Sequence, residues 1–124
     1  MTSALLVLAC LMGAGGVVLA AAAAHGTPAS GLDSAAYLLL FHATAVLAAA
    51  SLIRQELLWR PLGLIAMAGF VAGGTLFAGD VSMRAFAGHR LFPMAAPAGG
   101  TLLILGWLVL TAAAVVGMAA THDR

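Results

Sequence analysis

Four polar side chains in this chain stand where they could do chemistry: His25, His42, Asp80 and Arg84. An imidazole can take or give a proton near neutral pH and can bind a metal or ligand. A carboxylate accepts hydrogen bonds, and a guanidinium binds anions. Asp80 and Arg84 are four residues apart, which puts them on one helix face as a local ion pair or as half of a site. His42 is set in "YLLLFHATAVLAAASLIRQ", Tyr37 to Gln55, where no charge occurs before Arg54. Ionisable groups in such surroundings face a bundle interior or a wet cavity. His42 therefore has two readings. It is a neutral imidazole bonded to a neighbouring helix, through a threonine hydroxyl or a freed carbonyl. Alternatively it is a proton-relay group, a ligand-binding group or a metal ligand.

The spacing of these groups matches no catalytic or cofactor pattern. There is no HExxH and no paired-cysteine motif for zinc. No GxSxG, P-loop or dinucleotide fingerprint is present. Cys10 is the single cysteine and lies in an apolar run, where it reads as a small hydrophobe. A haem held by His25 and His42 would have to reconcile depths differing by ~12 Å. The expectation is no catalytic residue, no resident metal and no cofactor. His122, in the polar ending "THDR", reads as solvated.

The elements that must position these groups follow from composition. Of 124 residues, 64% are hydrophobic and 7% are charged, against roughly 25% charged in an average soluble domain. A chain this short cannot bury so much apolar surface in a water-soluble core, so lipid must be its solvent. The arginines, Arg54, Arg60, Arg84, Arg90 and Arg124, form no run, which argues against nucleic acid. Apolar stretches at about 2–24, 34–53, 61–83 and 97–120 are each long enough to cross the bilayer as a helix. The first has no basic residue before it and exceeds the length of a signal-peptide core, so it reads as a span. Gly26 and Pro28 close it, and Asp33 or Ser34 caps the second. Pro61 suits the first turn of the third, and Pro97 opens the fourth.

Short connectors make neighbours antiparallel. The expected fold is all-α: a single transmembrane domain, residues 1–124, built as an up-down bundle of four helices. Both ends of the chain then share a face with Arg54, Arg60 and Arg124, leaving Arg84 and Arg90 opposite. The arginine bias favours cytoplasmic termini. Small residues recur along single faces: Gly16, Ala20 and Ala24; Gly69 and Gly73; Gly74 and Ala78; Gly99, Gly106, Ala113 and Gly117. Such faces let helix backbones approach, within one chain or between copies.

In this arrangement His42 lies ~12 Å along its helix from Ser34, inside the apolar slab but short of its centre. His25, Asp33, Asp80, Arg84, His89 and Arg90 fall toward the same side of the membrane. Shared depth makes His25, His42, Asp80 and Arg84 a candidate pocket for a ligand or a proton relay.

Four segments, "AAAAHG", "LFHATAVL", "GGTLFAGDVSM" and "APAGGTLLILGW", in that order, resemble the YgdD-like family of small four-span membrane proteins, a domain-of-unknown-function family with animal relatives. The resemblance covers nearly the whole chain. It departs from the family where Phe41 precedes His42 in place of tyrosine, and where Ala78 stands in place of serine. It implies a bacterial inner-membrane protein with four helices, and no defined substrate or cofactor. The expected function is a non-catalytic accessory or assembly subunit, or a homo-oligomer, with the lipid bilayer and a larger membrane complex as surroundings. The rival expectation is a small transporter, channel or lipophilic-ligand binder using His42 and Asp80.

Overall fold

The computed structural model describes residues 2–26 and 31–122. Pro28 and Arg124 lie outside the described residues, as does the His122 side chain. Four helices make up the fold: α1 (Thr2–His25), α2 (Leu32–Arg54), α3 (Arg60–Ala87) and α4 (Ala95–His122). All four are long and apolar enough to cross a membrane.

The helices run further than the sequence expectation, and their caps show why. Gly31, in the left-handed region at φ 71°, precedes α2, and no side chain caps that end. Asp33 instead occupies the first turn of α2, where a carboxylate favours the positive end of the helix dipole. Pro61 sits in the first turn of α3. At its far end α3 continues beyond residue 83 until Gly88 takes φ 73°, a conformation that glycine adopts without steric cost. Pro97 is the third residue of α4 rather than its start.

Antiparallel packing can be read from glycine contacts. A Cβ on Gly13 would meet Ala43, and one on Gly16 would meet Leu40 and the Ala36 carbonyl. Rising numbers on α1 thus face falling numbers on α2. On α3, Gly69 faces Gly106 and Leu102, while Gly73 faces the Gly99 carbonyl. At one end of the bundle Gly31 approaches Val81. At the other, the α2–α3 connection folds over α4: the Trp59 amide donates to the Ala113 carbonyl at 2.9 Å. Gly117 leaves room there for the Leu57 carbonyl, which a Cβ would approach to 2.5 Å.

Which helix each small-residue face meets is now defined. Gly16 packs on α2, whereas Ala24 is exposed near the end of α1. Gly69, Gly73, Gly99 and Gly106 lie together between α3 and α4. Gly74 turns away from α4, toward the Met12 methyl of α1. Buried Phe70, Met67 and Val46 form the bulkiest part of the core.

The bundle is not a closed ring. Helix α1 packs on α2 and, less extensively, on α3, while α4 packs on α3; the backbones of α1 and α4 do not come together. A smaller share of α1 and α4 is buried than of α2 and α3. Their outward faces carry Val7, Leu11, Val17 and Val18 on α1, and Ile104, Leu108 and Met118 on α4. These side chains would be costly in water and are at no disadvantage in hydrocarbon.

Candidate functional site

His42 is the eleventh of the 23 residues of α2, so it stands at mid-span rather than to one side of it. It is 5% exposed. Its Nδ1 lies 2.7 Å from the Leu38 carbonyl of its own helix, one turn back. Because a carbonyl can only accept, Nδ1 carries the proton. The other ring nitrogen, Nε2, accepts from the Trp107 indole N–H at 3.1 Å. An indole N–H can only donate, so Nε2 is bare. The two bonds together define a neutral imidazole with one tautomer and no spare polar atom.

Three rings cluster at this contact, and His42 and Trp107 also border an open cavity beside Phe41, Thr44 and Ala45. The His42 and Phe70 centroids are 5.2 Å apart, and Trp107 lies 5.0 Å from Phe70 and 6.1 Å from His42. They come from α2, α3 and α4 in turn. The backbones of α2 and α4 do not approach each other, and the His42–Trp107 bond is a direct side-chain link between them across α3.

Trp107 is the hydrogen-bond partner that the sequence reading missed, though a signal for it exists. It is the thirteenth residue of the 28 in α4, near mid-span. Tryptophans in membrane proteins favour the interface, as Trp59 does at the start of α3. A tryptophan placed at the same depth as an intramembrane histidine marks a donor looking for an acceptor. The link can be measured with Trp107→Phe, which keeps an aromatic ring against Phe70 and removes the N–H together with part of the indole, so the bond itself is read from a coupling energy rather than from the single variant. We expect a stability loss of about 1 kcal/mol. In a double-mutant cycle with His42→Leu, a coupling near ~0.6 kcal/mol, and below ~1.7, is expected by detergent unfolding. Full additivity would mean that the bond contributes nothing.

Asp80 occupies a different place. It is 2% exposed. One carboxylate oxygen accepts the Leu91 backbone N–H at 2.9 Å, tying the α3–α4 connection down onto α3. The other is 3.2 Å from Arg84 Nε, one helical turn on. The Arg84 side chain is 42% exposed, which suits a charge reaching out of the apolar slab. No buried side-chain nitrogen or oxygen among the described residues is left without a partner.

The joint pocket expected from shared depth is not assembled. His42 packs against Phe70, and Asp80 is ten residues farther along α3, ~15 Å away along the helix axis. The start of α2 at Leu32 rather than Ser34 moves His42 by only ~3 Å; most of the separation comes from the register of α2 against α3, which sets His42 level with Phe70 and not with Asp80. His25 is exposed at the last residue of α1 and makes no hydrogen bond or ion pair among the described residues. Asp80 and Arg84 do come together, with Arg90 beside them around one cavity. Among the described residues no three of His, Cys, Asp or Glu converge as metal ligands would.

A second cavity, of about 380 Å³, opens between α1 and α3. Leu8, Met12, Leu39, Ala78 and Gly79 line it, with Thr75 and Ser82 as its polar edge. Neither His42 nor Asp80 reaches it.

A neutral histidine pinned at mid-span and an acid committed to a loop are the marks of a fold adapted to lipid, and comparison with known proteins agrees. The chain is 33% identical, over 102 residues, to a protein of Haemophilus influenzae named UPF0382 membrane protein, covering 76% of this chain and 79% of that one. No solved structure matches. The family described as "Protein of unknown function (DUF423)" matches residues 19–100, more than half of the 124, and takes in α2, α3, His42, Asp80 with its partners Arg84 and Leu91, and the start of α4, while Trp107 lies beyond it. This four-helix membrane protein belongs to the DUF423 family.

Proposed function

We propose that the protein is a non-catalytic component of the bacterial inner membrane, acting through its helix faces as an accessory or assembly subunit or as a homo-oligomer. The observation that supports this is the commitment of both intramembrane ionisable groups to internal bonds. His42 donates a hydrogen bond to the Leu38 carbonyl and accepts one from the Trp107 indole. Asp80 divides its oxygens between Leu91 and Arg84. A proton relay or transport site needs groups that exchange partners with substrate or water, and these two would first have to abandon the bonds that hold α2 to α4 and the last connection to α3.

What the chain leaves uncommitted is apolar helix surface. Helices α1 and α4 bury the least and do not meet, so each offers an unshared face within the membrane plane. With Arg54 and Arg60 at one end and Arg84 and Arg90 at the other, Arg124 tips the bias toward cytoplasmic termini.

Gentle solubilisation of native membranes tests the reading. A second protein, or a second copy, should co-purify in fixed stoichiometry and be identified by mass spectrometry. A clean monomer with no partner, under conditions that keep other membrane complexes intact, argues against it. The cavity between α1 and α3 favours a second reading, a lipophilic-ligand binder, in a form independent of His42 and Asp80. Its sign would be a lipid or isoprenoid retained through purification and displaced when Gly15 is enlarged to leucine.

A further inference from the structure

We propose that the α3–α4 end of the bundle carries a binding site for a phosphate group, built from Arg84 and Arg90. A cavity of about 370 Å³ lies there, lined by Phe77, Asp80, Arg84, Arg90, Met94 and Gly100 among others. It holds two cationic side chains and one anionic one. The anion is already spent: the Asp80 oxygens are on the Leu91 amide and on Arg84 Nε. Arg84 is gripped only at Nε, so its stem is oriented while its two terminal nitrogens have no partner among the described residues. Arg90 has no ion pair among the described residues. The neighbouring His89 ring brings no negative charge, and its Nδ1 lies 3.1 Å from the Arg90 carbonyl.

The cavity thus has an excess of one positive charge and guanidinium N–H donors in its lining. The complement is an anion with several acceptor oxygens. Phosphate fits because guanidinium forks pair with its oxygens two at a time.

Depth gives the second argument. Helix α3 has 28 residues, so it is ~42 Å long and overshoots a ~30 Å hydrocarbon slab by ~6 Å at each end. The boundary then falls about four residues before Ala87, close to Arg84. The cavity opens at the level where lipid phosphates lie. A phospholipid headgroup and a soluble phosphate share the required chemistry, and they differ in whether acyl chains are needed.

Two variants separate charge from space. Arg90→Gln removes a cation from an exposed residue. Gly100→Leu fills the cavity: a Cβ at Gly100 meets nothing within 4 Å, and the arginines are untouched. Both should fold, as judged by an unchanged thermal midpoint in detergent. Native mass spectrometry of the intact protein would then be run with phosphatidylglycerol, with a diacylglycerol of the same chains, and with inorganic phosphate. We expect phosphatidylglycerol to be retained, diacylglycerol to be lost, and each variant to weaken retention about tenfold. Binding of inorganic phosphate with the same sensitivity to Arg90→Gln would support the site and assign it to a soluble ligand. Equal retention of phosphatidylglycerol and diacylglycerol without phosphate binding overturns the proposal. So does phosphate-dependent retention that neither variant changes.

Discussion

Replacing Gly99 by leucine should pull α4 off α3 and lower stability by about 3 kcal/mol, the upper end of ordinary overpacking. A Cβ at this position would lie 2.7 Å from the Phe77 amide nitrogen and 2.8 Å from the Gly73 carbonyl oxygen. Both are backbone atoms of α3. A flexible side chain could swing aside, but a hydrogen-bonded helix backbone can yield only by moving as a whole. Even Gly99→Ala should destabilise, although alanine favours a helix by about 1 kcal/mol over glycine. The neighbouring Gly100 supplies the contrast. Nothing lies within 4 Å of its Cβ position, so Gly100→Ala should be neutral or stabilising. Unfolding in detergent, followed through tryptophan emission, would rank the variants. Wild-type stability in Gly99→Leu would contradict the close α3–α4 approach.

The second large effect is expected at Asp80. Asp80→Ala should cost about 1–3 kcal/mol, chiefly because the Leu91 N–H loses its acceptor. The ion pair adds less, since Arg84 is well exposed and can turn to water or headgroups. Asp80→Asn separates the two contributions. Its side-chain oxygen still accepts from Leu91 while the charge facing Arg84 is gone, so its loss should be clearly smaller. The α3–α4 connection should also loosen in the same order, alanine more than asparagine. Limited trypsin digestion at Arg90 reads this directly. Equal cleavage in wild type and Asp80→Ala would mean that the carboxylate does not hold the connection.

Much of this architecture was legible in the sequence, because the cost of exposing a backbone to lipid leaves few choices. Long uncharged runs gave the number of helices, and short connectors gave their alternation. The ends were harder to place. Gly31 and Gly88 terminate α2 and α3 by adopting positive φ, and many glycines that do not cap a helix look the same in a string of letters. Met94, at φ 69° just before α4, has no sequence signature at all.

For the candidate site, local pairs were readable and distant ones were not. Asp80 and Arg84 are one turn apart on the same helix, so their contact follows from helical geometry. The bond from Trp107 to His42 spans 65 residues and depends on how α4 is rotated, a quantity no single segment encodes. Small-residue faces have the same limit. Gly69 and Gly73 announce that something comes close, but only the packed bundle shows that it is Gly99 and Gly106.

The adjacent pair Gly73–Gly74 bears on how the protein is made. One glycine accommodates α4 and the other accommodates α1, so the middle of α3 is pared to bare backbone on two sides. Translation delivers α1 well before α3, and α4 after it. When α3 leaves the ribosome, the notch at Gly74 can be filled at once, while the notch at Gly73 stays vacant until Gly99, Leu102 and Leu103 of α4 emerge. The α3–α4 seam therefore closes later than the α1–α3 seam, and a nascent chain arrested before Gly99 would leave it open.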